Sequence, residues 1–256
     1  MKIVKYIARI FKNINFKKMF DTAKTINKRT KKWTIIVIID MIWCALRYGA
    51  GYNDYLYFGL YQLSGRYRET YITRGINNRL VSSLNSKQDM HKLDNKNEFN
   101  ELFADYLKRD WIFLTNNNQQ EFYKWIKNHK VIIAKPNNGS GGMVVPIDIE
   151  TGKTKYPGTD LFEHVYYKHP ISNKDLVGVK IKDWDECVEL VKKASKLCPT
   201  LKYIGWDVAV SVDGPCLIEA NPYPGYYYQF PLYLPDKYGY LPNALNILER
   251  LNLKLK

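Results

Sequence analysis

The sequence predicts an α+β fold, with helices in the N-terminal region and strands in the C-terminal part. Apolar residues recur at helical spacing from Trp33 to about Arg109, whereas residues 204–225 alternate apolar and polar side chains. A short apolar run at residues 130–136 predicts a further strand. The chain has 256 residues, enough for one large domain or two small ones.

Positive charge is concentrated in the N-terminal third. Residues 1–92 contain 18 Lys/Arg and 5 Asp/Glu, whereas residues 93–256 contain 21 and 20. We therefore predict three segments. These are a basic amphipathic segment at 1–32, a helical region at 33–108 and a strand-containing domain at 109–256.

The basic segment allows two interpretations. Residues 1–32 hold 11 Lys/Arg and one acidic residue, and Ile3, Ile7, Ile10 and Ile14 recur at helical spacing. Such a helix either contacts anionic lipid at a membrane surface or packs on the protein with its lysines in water. We expect no nucleic-acid partner, because the segment lacks aromatic stacking platforms and a base-reading motif.

The apolar run from Trp33 to Leu46 predicts a buried helix. It is 14 residues long and carries Asp40 at its centre, whereas a membrane-spanning helix needs about 20 predominantly apolar residues. A span is therefore the weaker alternative.

Further elements follow along the chain. Apolar spacing predicts an amphipathic helix at Leu93–Lys108, and a further helix is predicted at Asp183–Leu197. Strands at Trp111–Leu114 and 130–136, with a helix at Gln120–His129 between them, predict a β-α-β order. The four cysteines form no CxxC pair, which predicts free buried thiols.

The alternating segment IGWDVAVSVDGPCLIEANPYPG, residues 204–225, predicts a β-hairpin. With an odd-length loop, Asp207 and Glu219 lie directly opposite each other on one face. Asn221 follows two residues after Glu219 and projects from the same face, as does Leu217 under strict alternation.

These three oxygen-bearing side chains predict a hard-cation site. Asp207 and Glu219 repel each other unless a positive charge lies between them. Two carboxylates and the amide of Asn221, without sulfur or imidazole, are the ligand type of magnesium or manganese. The alternative is an ordinary solvated sheet face, and the three residues alone do not decide between the two.

A second motif, VIIAKPNNGSGG at residues 131–142, predicts a phosphate-binding loop. A buried strand delivers Lys135, whose ammonium group can contact phosphates. The loop then presents Gly139, Ser140, Gly141 and Gly142. Glycines let backbone N–H groups approach a polyphosphate closely. The loop matches neither the Walker A pattern nor GxGxxG, so a plain hairpin loop is the alternative.

Together the two motifs resemble the ATP-grasp superfamily, and more narrowly the sugar-transfer-associated ATP-grasp family of bacterial surface-polysaccharide clusters. The blocks LRYGAGYNDYLYF, NKNEFNELFADYLKRDW, KPNNGSGG, HPISNKDLVGVKIKDWDE and IGWDVAVSVDGPCLIEANPYPG are similar to family blocks in family order, across most of the chain. The resemblance implies ATP and Mg²⁺ as cofactors. It implies phosphate contacts from Lys135 and residues 139–142, a nucleotide-facing Lys96, and magnesium ligation by Asp207, Glu219 and Asn221.

The resemblance also implies an activity, without assigning a catalytic residue. It suggests an ATP-grasp-like domain at 109–256 that activates a carboxylate as an acyl phosphate for attack by an amine or a sugar-linked acceptor. Such a ligase would act in bacterial cell-surface polysaccharide biosynthesis or modification. We expect it in the cytoplasm, with a peripheral contact to the inner membrane face through residues 1–32.

One segment departs from the family pattern. Gly142 is followed at once by MVVPIDIETG, which resembles a later family block, and residues 143–170 contain no recognisable adenine hinge. We therefore predict a shortened C-terminal lobe that lacks this hinge. Two alternatives to the ligase remain open: a degenerate, non-catalytic ATP-grasp accessory or binding protein, and a basic protein that binds a membrane surface.

Overall fold

The computed structural model describes residues 15–112, 117–128, 143–160, 164–226 and 228–256. Over these residues the chain is a mixture of helices and short sheets, which confirms the predicted α+β class. It divides into two compact units, one formed by the described residues up to Leu84 and from Gly225 onward, the other by those from Asn85 to Pro224.

The helices are, in chain order, α1 (Phe16–Thr30), α2 (Thr34–Tyr48), α3 (Tyr52–Tyr57), α4 (Gly65–Arg68), α5 (Arg74–Leu84), α6 (His91–Asp94), α7 (Lys96–Leu102), α8 (Ala104–Leu107), α9 (Gln119–Lys127), α10 (Trp184–Ser195) and α11 (Leu241–Arg250). The strands are β1 (Gly158–Thr159), β2 (Val165–Tyr166), β3 (Gly205–Ser211) and β4 (Gly214–Asn221). Short 3₁₀ turns lie at Leu60–Gln62 and Pro231–Tyr233.

Helices α1 and α2 form a helical hairpin in the first unit. The side chain of Asn15 caps α1 by accepting a hydrogen bond from the backbone N–H of Lys18 at 2.9 Å. Lys31, in the left-handed conformation, ends the helix. This confirms helical structure in the second half of the basic segment, while residues 1–14 lie outside the described residues.

The apolar run predicted to be a buried helix is helix α2, but only one of its faces is buried. Val37, Ile38, Met41 and Cys44 lie in the core of the unit. Residues on the opposite face are exposed to solvent, so the expectation of burial was wrong for that face. None of the described helices is long and apolar enough to cross a bilayer.

Asp40, the acidic residue of that run, is neutralised at the edge of the core. It forms a bidentate ion pair with Arg68, with distances of 2.7 Å and 2.8 Å, and accepts a hydrogen bond from the Tyr55 hydroxyl at 2.5 Å. Helix α2 can therefore pack the side that carries Asp40 against the protein, because the planar guanidinium of Arg68 neutralises the charge.

A second carboxylate of the first unit is fully buried. Asp54 is 1% exposed and accepts hydrogen bonds from the backbone N–H groups of Gly51 and Arg74, both at 2.8 Å. It also accepts one from the hydroxyl of Tyr226 at 3.1 Å. Burial raises the pKa of Asp54, and these hydrogen bonds oppose the rise.

The tyrosine-rich segment after the hairpin contributes to this core. Tyr226 and Phe230 are buried, and Gln229 is completely enclosed. The Gln229 side chain pairs with both backbone groups of Ile72, accepting at 3.0 Å and donating at 2.9 Å. For these residues the structure supports a packing role.

In the second unit, the predicted helix Leu93–Lys108 is broken into the short helices α6, α7 and α8. Asn95 has an extended backbone and caps α7 through its side chain, which ends α6. Phe103 leaves helical geometry and separates α7 from α8. The apolar spacing was correct, because Phe99, Phe103 and Leu107 are all buried.

Two other helices agree with the prediction. Helix α9 matches Gln120–His129 and helix α10 matches Asp183–Leu197, each to within two residues at either end. Trp111 and Ile112 do not form a strand. The strand predicted at 130–136 lies outside the described residues, so the β-α-β order stays a prediction.

The segment between the glycine-rich loop and α10 forms short antiparallel pairs. Strands β1 and β2 pair Gly158 with Tyr166 and Thr159 with Val165. A single bridge joins Val144 to Thr159. The described part of 143–170 thus contains two-residue strands, and the absence of an adenine hinge stays a prediction.

Candidate nucleotide and metal site

The hairpin of β3 and β4 brings the two predicted carboxylates together. Asp207 and Glu219 are direct cross-strand partners, and Gly205 is the partner of Asn221. All three polar side chains are exposed on the strand surface. Because direct partners share a face, the predicted juxtaposition of Asp207 and Glu219 is confirmed.

The register is reached by a different route from the one predicted. The turn between the strands has two residues, Val212 and Asp213, which is an even length. A β-bulge between Asp207 and Val208 then shifts the register by one residue, so Asp207 pairs with Glu219 while Val208 pairs with Leu217.

The bulge also corrects the predicted position of Leu217. Strict alternation put Leu217 on the face of Glu219, but as the partner of Val208 it lies on the opposite face. There it is completely buried, beside helices α7, α8 and α10, which pack on β4. The bulge therefore reconciles a buried leucine with an exposed carboxylate two residues away.

Arg109 holds the bulge in place. Its guanidinium donates hydrogen bonds to the backbone carbonyl of Leu217 and, at 2.9 Å, to that of Ile218. It also donates to the side-chain oxygen of Asn100 at 3.2 Å. A bulge disrupts the ladder and leaves a residue unpaired, and a rigid fork of donors can satisfy its carbonyls.

Arg109 also brings a positive charge to the carboxylate pair. Burial lowers its pKa, while the electrostatic interactions with Cys216 and Glu219 act in the opposite direction. Arginine keeps its charge under these conditions, so the guanidinium attracts Glu219 and offsets part of the repulsion from Asp207. Sequence reasoning did not identify Arg109, because no local pattern links it to carbonyls 108 and 109 residues away.

Asn221 lies where the strand ends, and its geometry is fixed locally. Its side-chain oxygen accepts a hydrogen bond from the backbone N–H of Tyr223 at 2.8 Å. An amide oxygen has two lone pairs, so this bond leaves one for another partner.

A buried amide ties down both ends of the hairpin. Asn85 donates to the carbonyls of Tyr203 at 2.7 Å and Pro222 at 2.9 Å, and its oxygen accepts from the N–H groups of Lys202 and Tyr203. The chain is thereby fixed just before β3 and just after Asn221. The backbone that carries the three oxygen ligands is thus held at both ends.

This donor set fits a magnesium ion that is shared with a nucleotide. Mg²⁺ in phosphoryl-transfer sites is held by one or two carboxylates together with phosphate oxygens and water. Asp207, Glu219 and the free lone pair of Asn221 could supply the protein side of such a site. Among the described residues, no group of three or more His, Cys, Asp or Glu is arranged to hold a metal.

The remaining predicted site residues are less well placed by the structure. Lys96 is the first residue of α7, is exposed, and belongs to the same unit as the hairpin. The others, Lys135, Gly139, Ser140, Gly141 and Gly142, lie outside the described residues. The assignment of these side chains to phosphate, and of the hairpin trio to magnesium, stays a prediction.

Comparison with known proteins supports the resemblance over part of the chain. Residues 129–232 match the model of the family described as sugar-transfer associated ATP-grasp. The match includes the glycine-rich loop and the whole hairpin, but neither Lys96 nor Arg109. Searches of curated proteins and of solved structures each found no match. The predicted likeness is therefore confirmed for 129–232, and the match supports an ATP-grasp-type, ligase-like function associated with sugar transfer.

Proposed function

We propose that the protein is a Mg-ATP-dependent carboxylate ligase of the ATP-grasp type, acting in the biosynthesis or modification of bacterial cell-surface polysaccharide. The observation that carries the proposal is the direct pairing of Asp207 with Glu219 inside the segment that matches the family. Like charges directly opposite each other repel, and a cation bound between them would offset this repulsion.

In this proposal the hairpin binds the magnesium ion of the Mg-ATP complex. Asp207, Glu219 and Asn221 would hold magnesium, which would supply positive charge to neutralise the transferred phosphoryl group. Arg109 keeps Glu219 in register through the bulge and adds positive charge beside it. Lys135 and residues 139–142 hold the phosphates from the loop, and Lys96 faces the nucleotide.

The reaction needs no nucleophilic side chain. A substrate carboxylate attacks the terminal phosphorus of ATP, ADP leaves, and the resulting acyl phosphate is attacked by an amine or a sugar-linked acceptor with loss of phosphate. The protein contributes positioning and electrostatic stabilisation. We place this chemistry in the cytoplasm, where ATP is available and where four free cysteines stay reduced.

The test is release of ADP by the full chain from ATP with Mg²⁺, over a panel of carboxylates and amino sugars. We expect turnover that requires both the metal and a carboxylate. Glu219→Gln should lose it, whereas Glu150→Gln, an exposed glutamate of the same unit, should keep it. Turnover that survives Glu219→Gln would contradict the assignment of the hairpin to the metal.

A second candidate function is nucleotide binding without catalysis. It is favoured by the short β structure of residues 143–170 and by the two-stranded hairpin sheet of the described residues. An adenine base needs an apolar slot with paired hydrogen-bond groups. Without this slot, each lost hydrogen bond or apolar contact costs on the order of 1–3 kcal/mol of binding free energy. For this candidate function we expect weak binding, with nearly equal affinities for ATP, GTP and inorganic triphosphate. We also expect little or no ADP release.

Competition between these three ligands separates the two candidates. Selective binding of ATP at least tenfold above GTP, together with turnover, supports the ligase. Equal affinities without turnover support the accessory protein. Selective ATP binding would also show that residues 143–170 provide a substitute hinge.

A further inference from the structure

Helix α2 leaves a large apolar surface exposed. Trp33, Ile35, Ile36, Ile39 and Trp43 are between 55% and 73% exposed, and we call them the Trp-Ile face. Residues 36, 39 and 43 follow helical spacing, and the buried Val37 and Met41 lie on the other side. A helix that is apolar all round is ordinarily enclosed on every side. Among the described residues, the Trp-Ile face is instead exposed.

The neighbouring helix also exposes large apolar side chains. Phe16 and Phe20 of α1, which packs against α2, are 61% and 47% exposed. Large exposed apolar patches on a protein surface mark sites that bind a partner or a membrane.

The charges around the face identify what covers it. Between residues 15 and 39 the sequence holds seven basic residues and one acid, Asp21. The basic residues are Lys17, Lys18, Lys24, Lys28, Arg29, Lys31 and Lys32. Four of them directly precede Trp33. A second copy of the chain would bring two such basic clusters together, whereas an anionic surface would neutralise them.

We propose that the Trp-Ile face inserts into the interfacial region of an anionic phospholipid bilayer. The isoleucines enter the acyl boundary, the rings of Trp33 and Trp43 lie at the level of the headgroups, and the lysines contact the lipid phosphates. This surface goes beyond the contact expected for residues 1–32 alone, because the Trp-Ile face lies at residues 33–43. It acts independently of ATP and metal binding, and so goes beyond the proposed ligase function.

Co-sedimentation of the full chain with vesicles tests the proposal. We expect binding to vesicles of phosphatidylglycerol and phosphatidylcholine, and at least tenfold weaker binding to phosphatidylcholine alone. The double substitution Ile36→Ser and Ile39→Ser, which keeps every basic residue, should weaken binding to the anionic vesicles at least tenfold. The matched control is Ile149→Ser with Ile171→Ser, two isoleucines of the other unit that are 74% and 91% exposed, and it should leave binding unchanged.

The electrostatic part has its own variant. Lys28→Gln with Lys31→Gln should weaken binding about fivefold per charge at low salt, and the difference should shrink as salt is raised. Lys174→Gln with Lys193→Gln, two exposed lysines of the other unit, is the control.

Three results would overturn the proposal. Anionic vesicle binding that is unchanged by the two Ile→Ser substitutions would remove the face from the contact. Equal binding to neutral and anionic vesicles would remove the role of charge. A lipid-free dimer in sedimentation velocity that these substitutions dissociate, with vesicle binding intact, would assign the face to a second copy. None of these results would bear on the proposed ligase function, which the nucleotide and metal experiments on the hairpin test separately.

Discussion

Two pairs of carboxylates, one pair in each unit of the chain, have opposite surroundings. In the helical unit, Asp54 is enclosed and accepts three hydrogen bonds, and Asp40 is matched by the guanidinium of Arg68. In the hairpin unit, Asp207 and Glu219 are exposed and face each other across the strands. The first arrangement surrounds each charge with donors, whereas the second brings two like charges together.

We propose that this difference separates structural carboxylates from metal-binding ones. A buried carboxylate persists only where donors replace its hydration, so its removal orphans those donors. Removing one charge of an opposed pair relieves the repulsion between the two carboxylates. Substitutions of these two carboxylate pairs should therefore affect different quantities, the free energy of unfolding for Asp40 and Asp54 and ligand affinity for Asp207 and Glu219.

The largest expected effect is on the stability of the helical unit. Asp54→Ala leaves the N–H groups of Gly51 and Arg74 and the hydroxyl of Tyr226 without their acceptor. We expect a loss of about 3 kcal/mol or more, since each buried orphaned donor costs about 1–3 kcal/mol. Chemical denaturation measures this loss. Asp94→Ala, at an exposed position, is the control, and an equal loss in both variants would contradict a special role for Asp54.

An intermediate effect is expected at the bulge. Arg109→Met keeps much of the side-chain volume but removes the donors to Leu217 and Ile218, and should cost about 1–2 kcal/mol. It should also weaken Mg-ATP binding, because the register of Glu219 is then held less firmly. Arg109→Lys should restore part of the stability but less of the affinity, since an ammonium group lacks the planar fork.

Denaturation and nucleotide titration of both variants separate the two effects of Arg109. If Arg109→Met loses stability while nucleotide affinity is unchanged, Arg109 supports the fold alone and has no influence on the site. Lys108→Met is a useful comparison, because Lys108 donates to the carbonyl of Asp213 at the turn, away from the bulge.

The smallest effect concerns acid sensitivity, and its sign differs between the units. Hydrogen bonds from Lys92 and Thr200 lower the pKa of Asp89 from 3.8 to about 2, so its stabilisation is present above pH 3.8 and is lost as the pH falls toward 2. Burial raises the pKa of Asp54, so its contribution decreases as the pH rises above 3.8.

Unfolding curves between pH 2 and 5 test this difference. Asp89→Asn should reduce the loss of unfolding free energy in acid. Asp54→Asn should remove a contribution to the unfolding free energy that decreases as the pH rises. If Asp89→Asn retains the wild-type acid dependence, the hydrogen bonds of Asp89 do not lower its pKa in solution.

The sequence was sufficient for elements defined by local periodicity. The local sequence predicted helices α9 and α10, and period-two alternation predicted the hairpin with Asp207 opposite Glu219. The bulge was not predictable, because one extra residue at Ile218 leaves the alternation almost intact while exchanging the face of Leu217.

Contacts between distant residues explain the other differences. Arg109 reaches the bulge through bonds that no local pattern encodes. The run at Trp33–Leu46 predicted a helix correctly, but hydropathy does not tell which faces find neighbours, and one face of α2 finds none among the described residues. The break at Asn95 was accessible from its capping chemistry, although the apolar spacing continued through it.

The central claim is that the hairpin binds magnesium together with a nucleotide. Calorimetric titration of ATP into the full chain, with and without Mg²⁺, tests it most directly when wild type and Glu219→Gln are compared. We predict that Mg²⁺ strengthens ATP binding at least tenfold in the wild type, that Glu219→Gln abolishes this increase, and that its stability is equal or slightly higher because carboxylate repulsion is relieved. An increase with Mg²⁺ that is the same in both proteins would contradict the account and return Asp207, Glu219 and Asn221 to an ordinary solvated sheet face.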